Sequence, residues 1–143
     1  MRIVRSIINH LTQKPKTLFL IDSLGAMFTA FVLFTVVRNF NQYFGMPKTI
    51  VTYLSAIAGC FSIFSTSCFL LLQHSWIPFI RGISFANSLY CILIILLLII
   101  YYPQLTSVGI IYFIAEIVII YGLVYIELNV AAEIKKNRVV KSM

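Results

Sequence analysis

Long apolar runs separated by short polar stretches are the main pattern of this sequence. A helix needs about 20 apolar residues to cross a hydrocarbon core about 30 Å thick. Four segments reach that length, and they lie at roughly 17–37, 49–72, 79–102 and 105–127. The short loops between them favour antiparallel neighbours. The pattern therefore predicts an all-α integral membrane protein, built as a four-helix bundle with antiparallel up-down topology.

Two other interpretations of these runs fit less well. Strands of a membrane barrel are about ten residues long and alternate in polarity, whereas these runs are longer and do not alternate. The first run is longer than the apolar region of a typical signal peptide and lacks a convincing small-x-small cleavage site. We therefore expect it to be a permanent helix.

A short amphipathic stretch, MRIVRSIINHLTQ, precedes the first span. Its apolar residues recur at near-helical spacing between basic and polar ones: Ile3, Ile7, Ile8 and Leu11. This spacing predicts an amphipathic helix on the inner leaflet that ends before Pro15, and the alternative is a flexible basic tail. The chain then divides into an amphipathic segment 1–14, a membrane domain 15–128 and a basic cytoplasmic tail 129–143, which continues the fourth helix and then frays.

Composition supports a membrane protein, and the charges indicate an orientation. The chain is 61% hydrophobic and 10% charged, with a net charge of +7, whereas soluble domains contain about a quarter charged residues. Nine Lys and Arg residues fall on the side of the two termini, and two, Arg38 and Lys48, fall on the other. Because cytoplasmic segments are enriched in Lys and Arg, we expect both termini in the cytoplasm, at a bacterial inner membrane. Basic residues at segment ends suit the lipid bilayer as partner and do not indicate nucleic-acid binding.

Small and polar residues share faces of the predicted helices. The second span carries Ser55, Gly59, Ser62 and Thr66 at heptad-like spacing. Small residues mark helix contact faces in lipid, because lipid supplies no hydrophobic drive for association. The pattern favours a packed bundle. Four helices cannot bury every such face, so self-association or association with another membrane protein is also expected.

Glu116 stands alone as a charged residue within GIIYFIAEIVII. At 1.5 Å per residue it lies about 16 Å from the inner end of the fourth helix, close to the midplane of the membrane. A carboxylate there is strongly destabilised, so we expect a neutral carboxyl group that donates to Ser62 or Thr29. Glu116 is either a proton or cation site or a member of a polar layer that fixes packing.

A second polar group is expected nearer the cytoplasmic side. Asp22 lies about 6 Å deep by the same count, and Arg81 and Asn87 come from the third helix at similar or slightly greater depth. We expect a structural Asp22–Arg81 ion pair. The depths of Asp22 and Glu116 differ by about 10 Å, which argues against a carboxyl dyad of those two residues. Glu127 is expected at the inner boundary, solvated or paired with a basic residue of the tail.

The candidate intramembrane polar site therefore has six members: Asp22, Thr29, Ser62, Arg81, Asn87 and Glu116. The sequence contains no recognisable metal-ligand spacing, cofactor-binding motif or catalytic constellation. Cys60, Cys68 and Cys91 lie inside apolar runs without a CxxC pattern, so we expect small packing residues. We expect no catalytic residue, no metal and no cofactor.

Three stretches carry a family resemblance: LIDSLGA in the first span, SFANSLYC in the third and IYFIAEIVII in the fourth. They resemble small four-helix bacterial integral membrane proteins over residues 17 to 127, which implies a fold and a location but no chemistry. In size the chain is also similar to the four-helix small multidrug transporters, which use one membrane glutamate per subunit. That family carries its glutamate in the first helix, whereas here the first helix carries Asp22.

Three functions follow as expectations. The first is a non-enzymatic membrane module that acts through helix–helix association. The second is a small proton-coupled transporter with Glu116 as its proton site and Asp22 at the inner gate. The third is a membrane enzyme acting on a lipid or a quinone, which would need a constellation that the sequence does not reveal.

Overall fold

The structure is a computed structural model that describes residues 1–74 and 76–143, and these residues are helical with short connections. The helices are α1 (Arg2–Gln13), α2 (Pro15–Val32), α3 (Asn41–Phe44), α4 (Lys48–Leu71), α5 (Trp76–Ile100) and α6 (Ser107–Ser142). A π-helical turn, Leu33–Val37, continues α2 without a break. The all-helical prediction is confirmed for the described part of the chain.

Four of these helices are long and apolar enough to cross a membrane: Pro15–Val37, Lys48–Leu71, Trp76–Ile100 and Ser107–Ser142. The first three match the predicted spans to within a turn. The fourth helix continues past residue 127, as expected, and α6 remains helical to Ser142 where fraying was expected. At 1.5 Å per residue its 36 residues measure about 54 Å, well beyond a core of about 30 Å.

The predicted amphipathic helix is present as α1, and it ends at Gln13, just before Pro15. Its Ile8 and Leu11 are buried in an apolar cluster that includes Val130 and Ile134 of α6. This contact explains why the start of the C-terminal segment stays helical. Ile3, in contrast, is 75% exposed. Contact of α1 with the inner leaflet stays a prediction.

The spanning helices pack mainly in two pairs, α2 with α4 and α5 with α6. Hydroxyl groups connect α2 and α4: Ser55 Oγ donates to the Ala30 carbonyl at 2.9 Å, and Ser62 Oγ donates to the Ser23 carbonyl at 3.1 Å. Ser23 also contacts the hydroxyl of Thr66. The predicted seam of small and hydroxyl residues on the second span therefore does face a neighbouring helix. Between the two pairs, α2 contacts α6 only over a short stretch.

Two apolar cores lie at opposite ends of the spanning helices. One contains Leu18 and Phe19 of α2 together with the α1–α6 contact. The other contains Leu33 and Val37 of the π-helical turn and Phe113 of α6. Along each spanning helix, the segment between its two core contacts carries buried polar side chains. These buried polar side chains are the candidates for a functional site.

Two glycines allow close contacts between backbone segments at the end of the molecule far from the termini. Gly45 follows α3 with φ +82°, a left-handed conformation that favours glycine, and its α-carbon lies against the backbone of Gln104. Gly109 of α6 lies against the carbonyl group of Phe44. Thr106 caps α6 by accepting from the Gly109 N–H at 3.1 Å and donates to the Tyr43 carbonyl. The sequence did not predict α3 or this contact.

Candidate functional site

Five buried polar side chains, one or two from each spanning helix, meet between the two apolar cores. We name this group the four-helix polar cluster, and it consists of Asp22 (α2), Ser65 (α4), Ser84 and Asn87 (α5) and Glu127 (α6). Asp22 is 3% exposed and Glu127 is 1% exposed. The cluster is thus the place where all four spanning helices come together through side-chain hydrogen bonds and close carboxyl groups.

Asp22 is the acceptor at the centre of the four-helix polar cluster. Asn87 Nδ2 donates to Asp22 Oδ1 at 3.0 Å, and the Ser65 hydroxyl donates to Asp22 Oδ2. Across the cluster, Ser84 Oγ donates to Glu127 Oε2 at 2.9 Å. Glu127 Oε1 is buried and has no hydrogen-bond partner. Hydroxyl and amide donors thus stabilise the two carboxyl groups, and Glu127 Oε1 is the one carboxyl oxygen of the pair that receives no donor.

The carboxyl groups of Asp22 and Glu127 belong to the same cluster and are close enough to influence each other's ionisation. Two carboxylates at such a distance cannot both be ionised without strong repulsion in a medium of low polarity. A single shared proton removes that repulsion, because it lets one group donate to the other.

The sequence did not predict the burial of Glu127, and the expectation that it is solvated or paired with a basic residue of the tail was wrong. Its closeness to the basic tail suggested the membrane boundary. A usable signal was present, because Glu116 and Glu127 are eleven residues apart, close to three turns of a helix. If Glu116 faces the interior, Glu127 must face the same way.

Glu116 forms the second acidic site, and it is 7% exposed. Tyr90 of α5 donates its hydroxyl to Glu116 Oε1 at 3.1 Å, while Glu116 Oε2 is buried without a partner. The predicted partners of Glu116, Ser62 and Thr29 as acceptors of its proton, were wrong. Ser62 is bonded to the Ser23 carbonyl, and Thr29 lines a cavity beside Glu116 without a hydrogen bond to it. Tyr90 was not expected as a partner of Glu116, although its side chain is longer than that of Ser62 or Thr29.

The predicted ion pair of Asp22 with Arg81 is also wrong. Arg81 is exposed, whereas Asp22 is buried and bonded to Ser65 and Asn87. A neutral amide and a hydroxyl stabilise the buried carboxyl group without the cost of burying a guanidinium group. Of the six predicted site residues, the structure thus brings Asp22 and Asn87 into direct contact and leaves Arg81 outside.

Two cavities lie beside the acidic residues Asp22 and Glu116. The first has a volume of about 70 Å³, and Asp22, Thr29, Asn87 and Tyr90 line it. The second has a volume of about 180 Å³, and Thr29 and Glu116 line it. A water molecule needs at least about 10–15 Å³ of such volume, so both cavities have room for water. Thr29 lines both cavities, with Asp22, Asn87 and Tyr90 beside the first and Glu116 beside the second.

The described part of the chain holds no group of three or more His, Cys, Asp and Glu side chains placed to bind a metal ion. Cys68 and Cys91 are buried free thiols, and Cys60 is an exposed one. Among these buried side chains, the carboxyl groups of Asp22, Glu116 and Glu127 are the groups able to bind and release protons.

Four membrane-length apolar helices with acidic side chains turned inward define the class of this protein, a multi-pass membrane protein. The chain matches no protein-family model, no curated protein sequence and no solved structure. Its function must therefore be argued from its own residues.

Proposed function

We propose that the protein is a small proton-coupled carrier, which binds and releases protons at Asp22–Glu127 and at Glu116 while a solute moves between its two helix pairs. One observation carries the proposal. The buried charged side chains in the described part of the chain are all acidic, namely Asp22, Glu116 and Glu127. Ionisable groups at membrane depth are costly and typically serve ion or proton movement.

Unsatisfied acceptors support a carrier over a layer that only fixes packing. A packing layer is most stable when every buried polar atom has a partner. Here Glu116 Oε2 has none, and a cavity lies beside Glu116. A free acceptor on a residue that lines open volume suits a group that exchanges protons.

The proposed architecture is a four-helix bundle with antiparallel up-down topology. In the first pair, Ser23 meets Ser62 while Ala30 meets Ser55, so residue numbers rise along α2 as they fall along α4. In the second pair, Ser84 meets Glu127 while Tyr90 meets Glu116. Both pairs thus support opposite directions for consecutive spans.

We further propose that both termini lie in the cytoplasm. α1 packs against the C-terminal part of α6, so both ends of the chain are at one end of the molecule. Most of the Lys and Arg residues lie at that end. The positive-inside rule then favours a cytoplasmic location for it.

The other two expected functions stay predictions. Association with a second copy or another membrane protein has some support, because Gly82 and Gly122 are exposed with open space at each position where a side chain would begin. Small exposed residues of this kind allow close approach of another helix. The expectation of a lipid- or quinone-acting enzyme has gained no specific support.

Infrared difference spectroscopy tests the proposed function, because the chain has only four acidic side chains. In lipid bilayers, the carbonyl band of the protonated carboxyl groups should shift after transfer to D₂O and should weaken reversibly as the pH is raised. Glu116→Gln and Glu127→Gln should each remove part of the band, because each removes one group that carries or shares a proton.

Glu133→Gln is the matched control, since Glu133 is outside the polar cluster and partly exposed. It should leave the interior carboxyl signal unchanged. A band that neither shifts in D₂O nor responds to pH would mean a sealed packing layer and would end the carrier proposal.

A further inference from the structure

We propose that Arg38 and Lys48 bind the phosphate group of an anionic phospholipid at the membrane boundary far from the chain termini. The two basic residues lie at the neighbouring ends of two packed helices. Arg38 follows the π-helical turn that ends α2, and Lys48 begins α4. This lipid site is separate from the proposed proton sites and does not depend on them.

The depth of Arg38 matches the level at which lipid headgroups begin. Arg38 directly follows the membrane-length helix Pro15–Val37, and Lys48 is the first residue of the membrane-length helix Lys48–Leu71. At 1.5 Å per residue, Arg38 lies about 24 Å from Asp22 along the helix. Because Asp22 is expected about 6 Å inside one boundary, Arg38 lies close to the other boundary of a core about 30 Å thick.

The guanidinium group of Arg38 is held in position by side chains of both helices. Its Nε donates to the Thr52 hydroxyl at 3.1 Å, and its Cζ lies 5.0 Å from the centre of the Phe34 ring. In the π-helical turn, the Arg38 N–H donates to the Leu33 carbonyl, five residues back, at 2.9 Å. With Nε engaged by Thr52, the two Nη amino groups are the donors that can bind an oxyanion as a pair.

The acidic side chains of the protein lie away from this pair of cations. The chain has four acidic residues. Asp22, Glu116 and Glu127 are buried among the helices. Glu133 precedes Ile134, which packs against α1 at the end of the molecule that carries the termini. A ligand must therefore supply the negative charge that balances Arg38.

Lys48 adds a second positive charge on the same side of α4. The Thr52 hydroxyl that accepts from Arg38 donates to the Lys48 carbonyl at 2.8 Å. Residues four positions apart are neighbours on one face of a helix, so the exposed Lys48 side chain can reach the ligand of Arg38. Two cations favour a headgroup with net negative charge, because a choline or ammonium group would be repelled by Lys48.

The surroundings of Arg38 favour a lipid over a soluble anion. The Phe34 ring beside the guanidinium group is 48% exposed, and Tyr53, next to Thr52 in the chain, is 64% exposed. Acyl chains can cover such apolar surface while the phosphate group binds Arg38. Basic pockets between spanning helices are typical binding sites for anionic lipid headgroups.

Native mass spectrometry of the full chain in detergent micelles tests the site. The probe is dioleoyl-phosphatidylglycerol, and the matched zwitterionic lipid is dioleoyl-phosphatidylcholine. The measured quantity is the dissociation constant of the first bound lipid. We expect phosphatidylglycerol to bind about tenfold more tightly than phosphatidylcholine. Inorganic phosphate in large excess should not displace it, because inorganic phosphate has no acyl chains to cover the apolar surface.

Variants that conserve charge separate a built site from general attraction to basic residues. Arg38→Lys keeps the charge but loses the paired Nη donors and the bond to Thr52, so affinity for phosphatidylglycerol should fall about tenfold. Thr52→Val removes the acceptor that orients Arg38 and should weaken binding about threefold. Arg81→Lys is the matched control, because Arg81 is an exposed arginine near the start of α5, and its affinity should not change.

Four results would each overturn the inference. They are equal binding of the two lipids, affinity unchanged in Arg38→Lys, equal losses in Arg38→Lys and Arg81→Lys, and displacement of the lipid by inorganic phosphate. The last result would identify a site for soluble anions instead. Circular dichroism checks that each variant is folded, and Thr52→Val decides the question if Arg38→Lys does not fold.

Discussion

Replacing Asp22 with leucine should destabilise the protein by about 3 kcal/mol or more, because three buried polar groups lose a partner at once, at about 1–3 kcal/mol each. Those groups are the Asn87 amide, the Ser65 hydroxyl and the Glu127 carboxyl group. The measurement is the free energy of unfolding in mixed micelles titrated with a denaturing detergent.

The sign of the change in the free energy of unfolding distinguishes an Asp22 side chain that faces the protein interior from one that faces lipid. An aspartate that faced lipid would cost about 2.5–3.5 kcal/mol at the centre of a span, so leucine would then stabilise the protein. Asp22→Asn is the control, since its amide keeps an oxygen for Asn87 and gains an N–H for Glu127, and its cost should stay near about 1 kcal/mol. Equal stability of the leucine and asparagine variants would contradict the four-helix polar cluster.

Replacing Gly109 with alanine should destabilise the protein by about as much as Asp22→Leu. This site lies at the end of the molecule far from the termini. A β-carbon at this position would overlap the Phe44 carbonyl oxygen, which belongs to the backbone and cannot rotate away. Overpacking typically costs about 1–3 kcal/mol, and a clash with backbone belongs at or above the top of that range. The free energy of unfolding measures the effect.

Gly122→Ala is the matched control within the same helix, because nothing lies near the place its β-carbon would take. Alanine is favoured over glycine inside a helix by about 0.5–1 kcal/mol. The control should therefore be neutral or stabilising, opposite in sign to Gly109→Ala. If both variants behave alike, α3 does not pack against the start of α6 as described.

The spans could be predicted from the sequence because run length and composition directly reflect the thickness of the membrane. The seam of Ser55, Ser62 and Thr66 could also be predicted, since helical periodicity decides which residues share a face. Periodicity does not decide how far each helix is rotated or shifted against its neighbour. For that reason the inward direction of Glu116 was expected correctly, whereas its partner was not.

Two further errors have the same physical origin. Arg81 and Asp22 lie at similar depth, but Arg81 is on an exposed face of α5 and Asn87 is on the buried one. Glu127 was judged by its distance along the chain from the basic tail, although its face on α6 was the better guide. The contact of Gly109 with Phe44 depends on a tertiary approach between distant segments, for which the sequence holds no local signal.

The position of the acidic groups between two apolar cores suits a carrier that moves its helices in pairs. Each pair is held by its own contacts, α2 with α4 and α5 with α6. The Asp22–Glu127 pair and the two cavities lie between the pairs. Because repulsion between two carboxylates depends on their protons, loss of the shared proton would push α2 and α6 apart. The proposed function thus links proton binding to movement of α2 against α6.

Solid-state NMR on the protein in lipid bilayers tests most directly whether α2 and α6 bring their carboxyl groups together, because Asp22 is the sole aspartate and only three glutamates are present. With ¹³C in the side-chain carboxyl carbons alone, we predict a strong through-space cross-peak between Asp22 and one glutamate, lost in Glu127→Gln and kept in Glu116→Gln and Glu133→Gln. Absence of this cross-peak, or its loss in Glu116→Gln instead, would contradict the account.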